Sequence, residues 1–556
     1  MTRLRTYGAT AWQARLRTYG ATAWQARLRT YGATAWRLRA CGASAWQARL
    51  RACGASTMLL LSATGPSASQ APLRGADALV RVYDAILDAR FDQIEPELLR
   101  ACGPAPEEAC AVLRATALWW RILIDPDNRS LDDDFSVAVE HAIATTQAWT
   151  ERAPRDAEPW FYLGAAYAAR VQWRVLREEK IAAARDGKRI RDALVEAIEL
   201  DPSLDDAYFG LGMYKYYADV APAAVKFLRM LLLLPGGDRE EGLQEMLRAR
   251  NKGRLLQGEA DYQLHIIYLW YEQQTDRALE LLRSLHEHYP GNPLFLAQTA
   301  EIQDRYQHDI TASLATWRAL LAAAREQRVN VAVLAATRAR LGIAKHLETL
   351  HQTDHAIEQL SDLVAGKPSA PYSALAIAHL KLGEAHDRLG ARAEATAAYR
   401  AALAAVPVHD PHDVRGQAVD KLRRTPDTRR ADAYRLSLDG WRRLERSDAA
   451  GAAATLQRSL ALNAADPVAR YRYGRALLSL HDDANALAQF ELAIRGARAC
   501  PAPVLGSAYL EAARLHERGE RRDQALSYYR ITSTLFGASA ETRATAARAL
   551  TRLAAR

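Results

Sequence analysis

Apolar positions three and four residues apart write most of this chain as helix. Between Ala76 and Ala101, Leu79, Val82, Tyr83, Ile86 and Leu87 fall on one side of a predicted helix. A second helix runs from about Pro106 to Ile124 and carries Trp119 and Trp120, and a third spans Phe135 to Arg152. The clearest unit is Ser373 to Pro407, SALAIAHLKLGEAHDRLGARAEATAAYRAALAAVP, which reads as two helices joined by a turn. Gly390 ends the first helix, because glycine tolerates the left-handed conformation of a C-terminal cap. Pro407 stops the second, because it has no amide hydrogen to donate. Tyr399 and Leu403 lie four apart and share a face. Gly383 lacks a Cβ, so a neighbouring helix can approach its backbone. Ala395 sits early in the second helix, where a larger side chain would push the pair apart.

This pattern recurs. Tyr473-Gly474 is followed by Ala486, Phe490 and Ala493, Gly440 by Ala452 and Leu456, and Tyr509 by Ala525 and Tyr529. Ala278, Leu282, Leu285 and Pro290 follow Tyr262, and Leu341-Gly342 precedes Ala356, Leu360, Leu363 and Pro368, with two extra residues in the turn. Trp160, Leu163, Gly164 and Tyr167 make a first helix whose partner marks, Leu194, Ala197 and Pro202, arrive fourteen residues late. Tyr208, Leu211 and Gly212 open a further unit. From about Trp160 onward the chain resembles the tetratricopeptide repeat family, whose unit is a helix–turn–helix. The resemblance implies an all-α fold: a right-handed superhelical solenoid of stacked helix–turn–helix repeats behind a disordered N-terminal leader. One hairpin cannot bury its apolar face alone, so neighbours must stack on it. The expected packing residues are Gly164, Gly212, Gly383, Ala395, Tyr399, Pro407, Gly474, Ala486 and Phe490.

The organisation expected is a leader at 1–57, a signal-like or linker segment at 58–75 and degenerate helical repeats at 76–159. A central array follows at 160–410, with an insertion at 168–192 that reads as helices broken at Asp186-Gly187. A linker at 411–430 then separates it from a C-terminal array at 431–556. The stretch from Phe209 to Leu243 also resembles a eukaryotic tetratricopeptide family associated with the mitochondrial outer membrane and lipid-droplet clearance.

Charge changes the picture of the leader only. The formal net charge is +9, yet residues 1–57 hold ten arginines and no acid, and the remainder balances 64 basic against 65 acidic residues. The folded body is therefore not expected to bind nucleic acid. The leader repeats RLRTYGATAWQA with a period of twelve and reads as disordered, or as a translated tandem repeat outside the native protein. Met58 opens MLLLSATGPSASQA, which resembles the end of a secretory signal peptide and implies export. In an exported protein Cys102 and Cys110 could form a disulfide.

Candidate chemistry is sparse. The chain holds no nucleophile elbow, P-loop, dinucleotide fingerprint or zincin helix. DPDNRSLDDD, Asp125 to Asp134, lacks the turn glycine and terminal glutamate of a calcium loop and reads as solvated. His409, Asp410, His412 and Asp413 read as a solvated loop, and His351 and His355 as ordinary histidines without a third metal ligand. No catalytic residue, cofactor or metal is expected. The function these features imply is a non-catalytic scaffold that binds a protein or peptide in its concave groove, with Tyr208, Tyr262 and Tyr268 as candidate anchors. The alternative is a membrane-surface or lipid-associated protein using the apolar helix 220–234, which is too short to cross a bilayer.

Overall fold

The structure, a computed structural model, describes residues 73–221 and 236–555. The arginine-rich leader, the signal-like run at Met58 and all but the first residues of the 220–234 helix lie outside them. The described residues form twenty-four α-helices and no strand, and none of these helices is long and apolar enough to cross a membrane. The chain divides into two compact units, one holding the described residues up to 272 and the other starting at 273.

The C-terminal unit shows most plainly how the sequence builds the fold. Its helices are α10 (Thr275–His288), α11 (Pro293–Arg305), α12 (Ile310–Arg325), α13 (Ala332–Thr349), α14 (Thr353–Gly366), α15 (Ala374–Arg388), α16 (Arg392–Ala405) and α17 (Val414–Arg423). Then come α18 (Thr428–Glu445), α19 (Ala449–Leu462), α20 (Pro467–Ser479), α21 (Asp483–Arg495), α22 (Ala502–Arg518), α23 (Arg522–Thr534) and α24 (Ala540–Ala554). Successive helices pack on one another except at α17 and α18, both of which pack on α15. The first helix of a hairpin is the more enclosed: α11 exposes no residue, whereas α16 exposes Ala393, Glu394, Ala397, Arg400 and Ala404.

Three positions define the hairpin. A Cβ on Gly383 would collide with the Tyr399 ring, one on Gly474 would sit 2.6 Å from the Phe490 ring, and one on Gly440 2.5 Å from Leu456. In each case the filling residue is sixteen positions downstream. Seven positions after each glycine the chain turns through the left-handed region, at Gly390 (φ 79°), Ser447 (φ 64°) and His481 (φ 61°). The last full hairpin keeps the register with Ala513, Glu520 (φ 59°) and Tyr529. Tyr399 Oη donates to Asp387 at 2.8 Å, and Tyr529 Oη donates to Glu517 at 2.8 Å, the same relation in a later hairpin. Ala395, Tyr399, Ala486 and Phe490 are fully buried. Burial of a side chain such as Phe490 or Leu456 contributes about 1.5–3 kcal/mol. Gly342 breaks the rule, because its space is filled by Trp317 of the preceding hairpin, at 2.5 Å, and not by Leu360. The stretch 411–430, read as a linker, contains α17.

The N-terminal unit comprises α1 (Ala76–Leu87), α2 (Ile94–Ala101), α3 (Glu107–Ile124), α4 (Asp132–Arg152), α5 (Ala157–Leu176), α6 (Lys180–Leu200), α7 (Ala207–Val220), α8 (Arg239–Lys252) and α9 (Gln257–Trp270). Cys102, at the end of α2, and Cys110, in the first turns of α3, are disulfide-bonded, with Cα atoms 6.1 Å apart. Gly164 faces Leu194 at 2.7 Å, so the fourteen-residue delay lengthens the hairpin without changing what fills the glycine. Gly212 meets the backbone of Gly242, bringing α7 and α8 close.

Two expectations fail in this unit. The α5–α6 turn is at Arg177–Glu179, and α6 runs unbroken through Asp186-Gly187. Asp186 stays helical because it is wholly buried against arginines. Arg170 donates to both its oxygens at 2.9 Å, Arg174 donates at 2.5 Å and Arg189 at 3.1 Å. The Asp125–Asp134 loop is not simply solvated either: Asp125 and Asp127 are buried, and Arg177 grips Asp132 through two bonds of 2.7 and 2.6 Å.

Two substitutions test these contacts. Gly383→Ala should cost roughly 1–3 kcal/mol by chemical denaturation, and less in a Tyr399→Leu background. Gly103→Ala, whose Cβ would meet nothing within 4 Å, should change stability little. Asp186→Asn leaves the buried Arg170 short of its carboxylate and should cost about 3–5 kcal/mol in the same assay.

Candidate functional site

In the N-terminal unit the helices leave a space between them. Helix α5 presents Gly164, Ala165, Ala168 and Ala169 to its neighbours, and these small side chains do not fill the gap opposite α3, α7 and α9. The resulting cavity has a volume of about 60 Å³. Tyr83, Trp119, Phe161, Tyr162 and Phe209 bring aromatic rings to it, and Asp206 and Glu259 bring carboxylates. Among the described residues no Lys, Arg or His lines it. Thr116, Ala165, Ala168 and Gln172, half-buried, lie on its rim side.

The two carboxylates are held differently. Asp206 accepts the backbone N–H groups of Arg254, Leu255 and Leu256 at 2.9, 3.0 and 2.8 Å, fixing the entry to α9. Glu259, 4 % exposed, accepts Tyr83 Oη and Trp120 Nε1 at 3.1 Å each on one oxygen and Gln263 Nε2 at 3.2 Å on the other. Burial raises the pKa of both acids, and the hydrogen bonds they accept oppose it. The Tyr162 hydroxyl and the Trp119 indole N–H, both buried, have no hydrogen-bond partner among the described residues.

The residues expected to anchor a partner fall elsewhere. Tyr262 is fully buried and packs on Trp120, ring centroids 5.0 Å apart; Tyr268 is 6 % exposed. Both serve the interior of α9, since that helix is enclosed almost throughout. Tyr208 alone reaches the surface, with the Arg248 guanidinium 3.7 Å above its ring and its hydroxyl donating to the Pro202 carbonyl. The sequence marked α9 as aromatic but gave no sign that Glu259 lies among those rings.

In the C-terminal unit the turn after α13 seats against the first helices of later hairpins. Arg472 of α20, 3 % exposed, donates to the His351 carbonyl at 2.7 Å and to Ser437 Oγ at 3.0 Å. Thr353 and Tyr434 share a hydrogen bond of 2.7 Å, and Arg442 grips Asp354 through two nitrogens. His351 and Asp354 are thus structural, and His355 pairs with Glu358 at 3.1 Å. Asp410 caps α17, accepting the amides of Val414 and Arg415 at 3.0 and 2.9 Å. Among the described residues no group of three or more His, Cys, Asp or Glu could hold a metal.

A small residue, a left-handed turn seven later and a large residue sixteen later recur through this unit. The hairpins are tetratricopeptide-type repeats. No protein-family model matches the chain, and no curated protein matches it. Several solved structures are similar to it at low identity. The human IFIT1 dimer with m7Gppp-AAAA is 14% identical with a TM-score of 0.30, covering 77% of this chain and 96% of that one. A tetratricopeptide repeat protein from Parabacteroides merdae is 14% identical with a TM-score of 0.24, covering 54% of this chain and 99% of that one. The TPR2AB-domain:pHSP90 complex of yeast Sti1 is 15% identical with a TM-score of 0.21, covering 53% and 96%.

Buried histidines give this protein an acid-sensitive term. Burial pushes His265 down to about 3, and it also lowers His346 and His351. In the unfolded chain these rings take up protons near pH 6.5, and in the folded chain only far below it. Their contribution is therefore fully present above about pH 6.5 and is lost as pH falls towards about 3. Between pH 7.5 and 5 the natural protein should lose about 2 kcal/mol relative to His265→Leu, read from urea midpoints at each pH.

Proposed function

We propose that this chain is a non-catalytic scaffold that recognises a protein partner through the first helices of its tetratricopeptide-type hairpins. What supports the reading is the repeated register itself. It sets the same helix of each hairpin side by side, so that residues at one register position form a row. Such a surface is pre-arranged, and binding to it costs the scaffold little ordering.

Charge narrows the partner. From residue 428 to the end the chain has 21 arginines, no lysine and 13 acidic residues. Arg475 and Arg514 follow Gly474 and Ala513 by one residue and so occupy the same register of neighbouring first helices. Arg475 is half-buried beside Tyr471, and Arg514 is exposed. Arginine's planar fork suits carboxylates. The C-terminal hairpins are accordingly read as binding an acidic peptide segment.

The test is fluorescence anisotropy with a glutamate-rich peptide and a lysine-rich control of equal length. The acidic peptide should bind, weaken at higher salt, and lose roughly tenfold in affinity in the Arg475→Ser, Arg514→Ser double variant, about 1.4 kcal/mol. Equal binding of both peptides, or an unchanged double variant, would overturn the reading.

A further inference from the structure

The turn between α13 and α14 reaches beyond its own hairpin, onto the first helices of later hairpins in the same unit. His351, its left-handed residue (φ 58°), lays its ring against Tyr434 of α18, centroids 5.3 Å apart. Its carbonyl accepts Arg472 of α20 at 2.7 Å. Thr353 shares a hydrogen bond with the Tyr434 hydroxyl, and the Arg442 guanidinium takes both oxygens of Asp354. A bidentate arginine–carboxylate pair of this kind is the strong form of the contact.

The fits that build the hairpins of this unit are apolar, but this seam is polar and imperfectly matched. His351 Nδ1 and Trp441 Nε1, both buried, have no hydrogen-bond partner among the described residues; buried polar groups are ordinarily paired. Arg472 is 3 % exposed, yet its hydrogen bonds go to a carbonyl and a hydroxyl. Asp354 and Asp466 act on it electrostatically, and neither accepts a hydrogen bond from it. A guanidinium removed from water is costly unless opposite charge meets it. The seam is also continuous with the row of Arg475 and Arg514. Trp441 follows Gly440 by one residue, as those arginines follow Gly474 and Ala513, and the Arg472 guanidinium lies 5.6 Å from its ring centre. The turn therefore sits at the α18 end of the surface read as binding an acidic peptide. Its own carboxylate, on Asp354, is about a third exposed, at the edge of the seam.

We propose that the α13–α14 turn is an internal ligand: Asp354 and the His351 carbonyl occupy an acidic-peptide subsite made by Arg442 and Arg472, and an acidic partner binds there by displacing the turn. The proposal rests on the reading of the α18, α20 and α22 first helices as an acidic-peptide surface, and adds the two residues that complete it. A partner carboxylate at Arg442 takes the place of Asp354. A second, at Arg472, replaces a neutral carbonyl with the opposite charge that this arginine lacks. The seated turn lowers the fraction of molecules ready to bind, and apparent affinity falls by that fraction.

Fluorescence anisotropy on the full chain decides it, with the glutamate-rich peptide and the lysine-rich control as probes. Asp354→Asn and Thr353→Val loosen the turn and leave both arginines in place. Each should bind the acidic peptide about tenfold more tightly than the natural protein, with no gain for the control. Arg472→Gln in the Asp354→Asn background should cancel the gain. Hydrogen exchange supplies a second readout: the acidic peptide should speed exchange of the amides at 351–356 in the natural protein. Circular dichroism confirms folding of each variant; if the Arg472→Gln protein does not fold, the two turn variants and the exchange measurement carry the test. Equal affinity of the natural protein and both turn variants, or peptide binding that leaves exchange of the turn unchanged, would overturn the proposal while the Arg475 and Arg514 surface stands. Acidic-peptide binding by none of the three would overturn both.

Discussion

The C-terminal unit depends on one steric fit: a residue without a side chain on the first helix, and a large side chain from the second helix lying over it. The Tyr399 ring over Gly383, Phe490 over Gly474 and Leu456 over Gly440 are the same contact made with three different residues. The fit works because dispersion attraction falls steeply with separation, so a helix pair that closes the last ångström gains many contacts together. It also sets the spacing between hairpins, and so lets each stack on the next.

That fit is strong enough to hold backbone strain in place. Gly390 turns the chain at little cost, but Ser447, His481 and Glu520 occupy the same left-handed position with a Cβ present. Each such residue costs roughly 1–2 kcal/mol. The turn geometry is imposed by the helices on either side of it, and the residue at the turn accepts it. The packing also adapts where the register slips: with two extra residues in its turn, the Gly342 hairpin takes Trp317 from its neighbour as the filler.

Charged groups follow a second logic. Asp186, Glu259 and Arg472 are all buried; Asp186 is held by arginines within sixteen residues of it, whereas Glu259 and Arg472 also draw on partners more than a hundred positions away. Asp186 is compensated by arginines, Arg472 by a carbonyl and a hydroxyl, and Glu259 by neutral donors alone. Removing a charge from water costs several kcal/mol unless charge returns to it. Glu259 and Arg472 both have neutral hydrogen-bond partners, and of the three only Asp186 is met by opposite charge.

Local sequence determined the hairpins. Gly383, Gly390, Ala395 and Tyr399 announce a helix, a turn and a packing face because those properties belong to single residues and to fixed helical spacing. The same rules found Gly474 with Phe490, and found that Leu194 serves Gly164 despite its delay. They misplaced the turn near Asp186, because an aspartate beside a glycine looks like a breaker until buried arginines are seen around it. They also offered Tyr262 and Tyr268 as surface anchors, since an aromatic stripe has the same spacing whether it faces solvent or the interior. The cavity, the solitary Glu259 within it and the seating of Arg472 on the His351 carbonyl were decided by tertiary structure alone. The hydrogen bonds that build them, Gln172 with Gln263, Arg472 with His351, and Trp120 and Tyr83 with Glu259, join residues between 91 and 176 positions apart. No short-range pattern encodes which distant helices will leave a space between them.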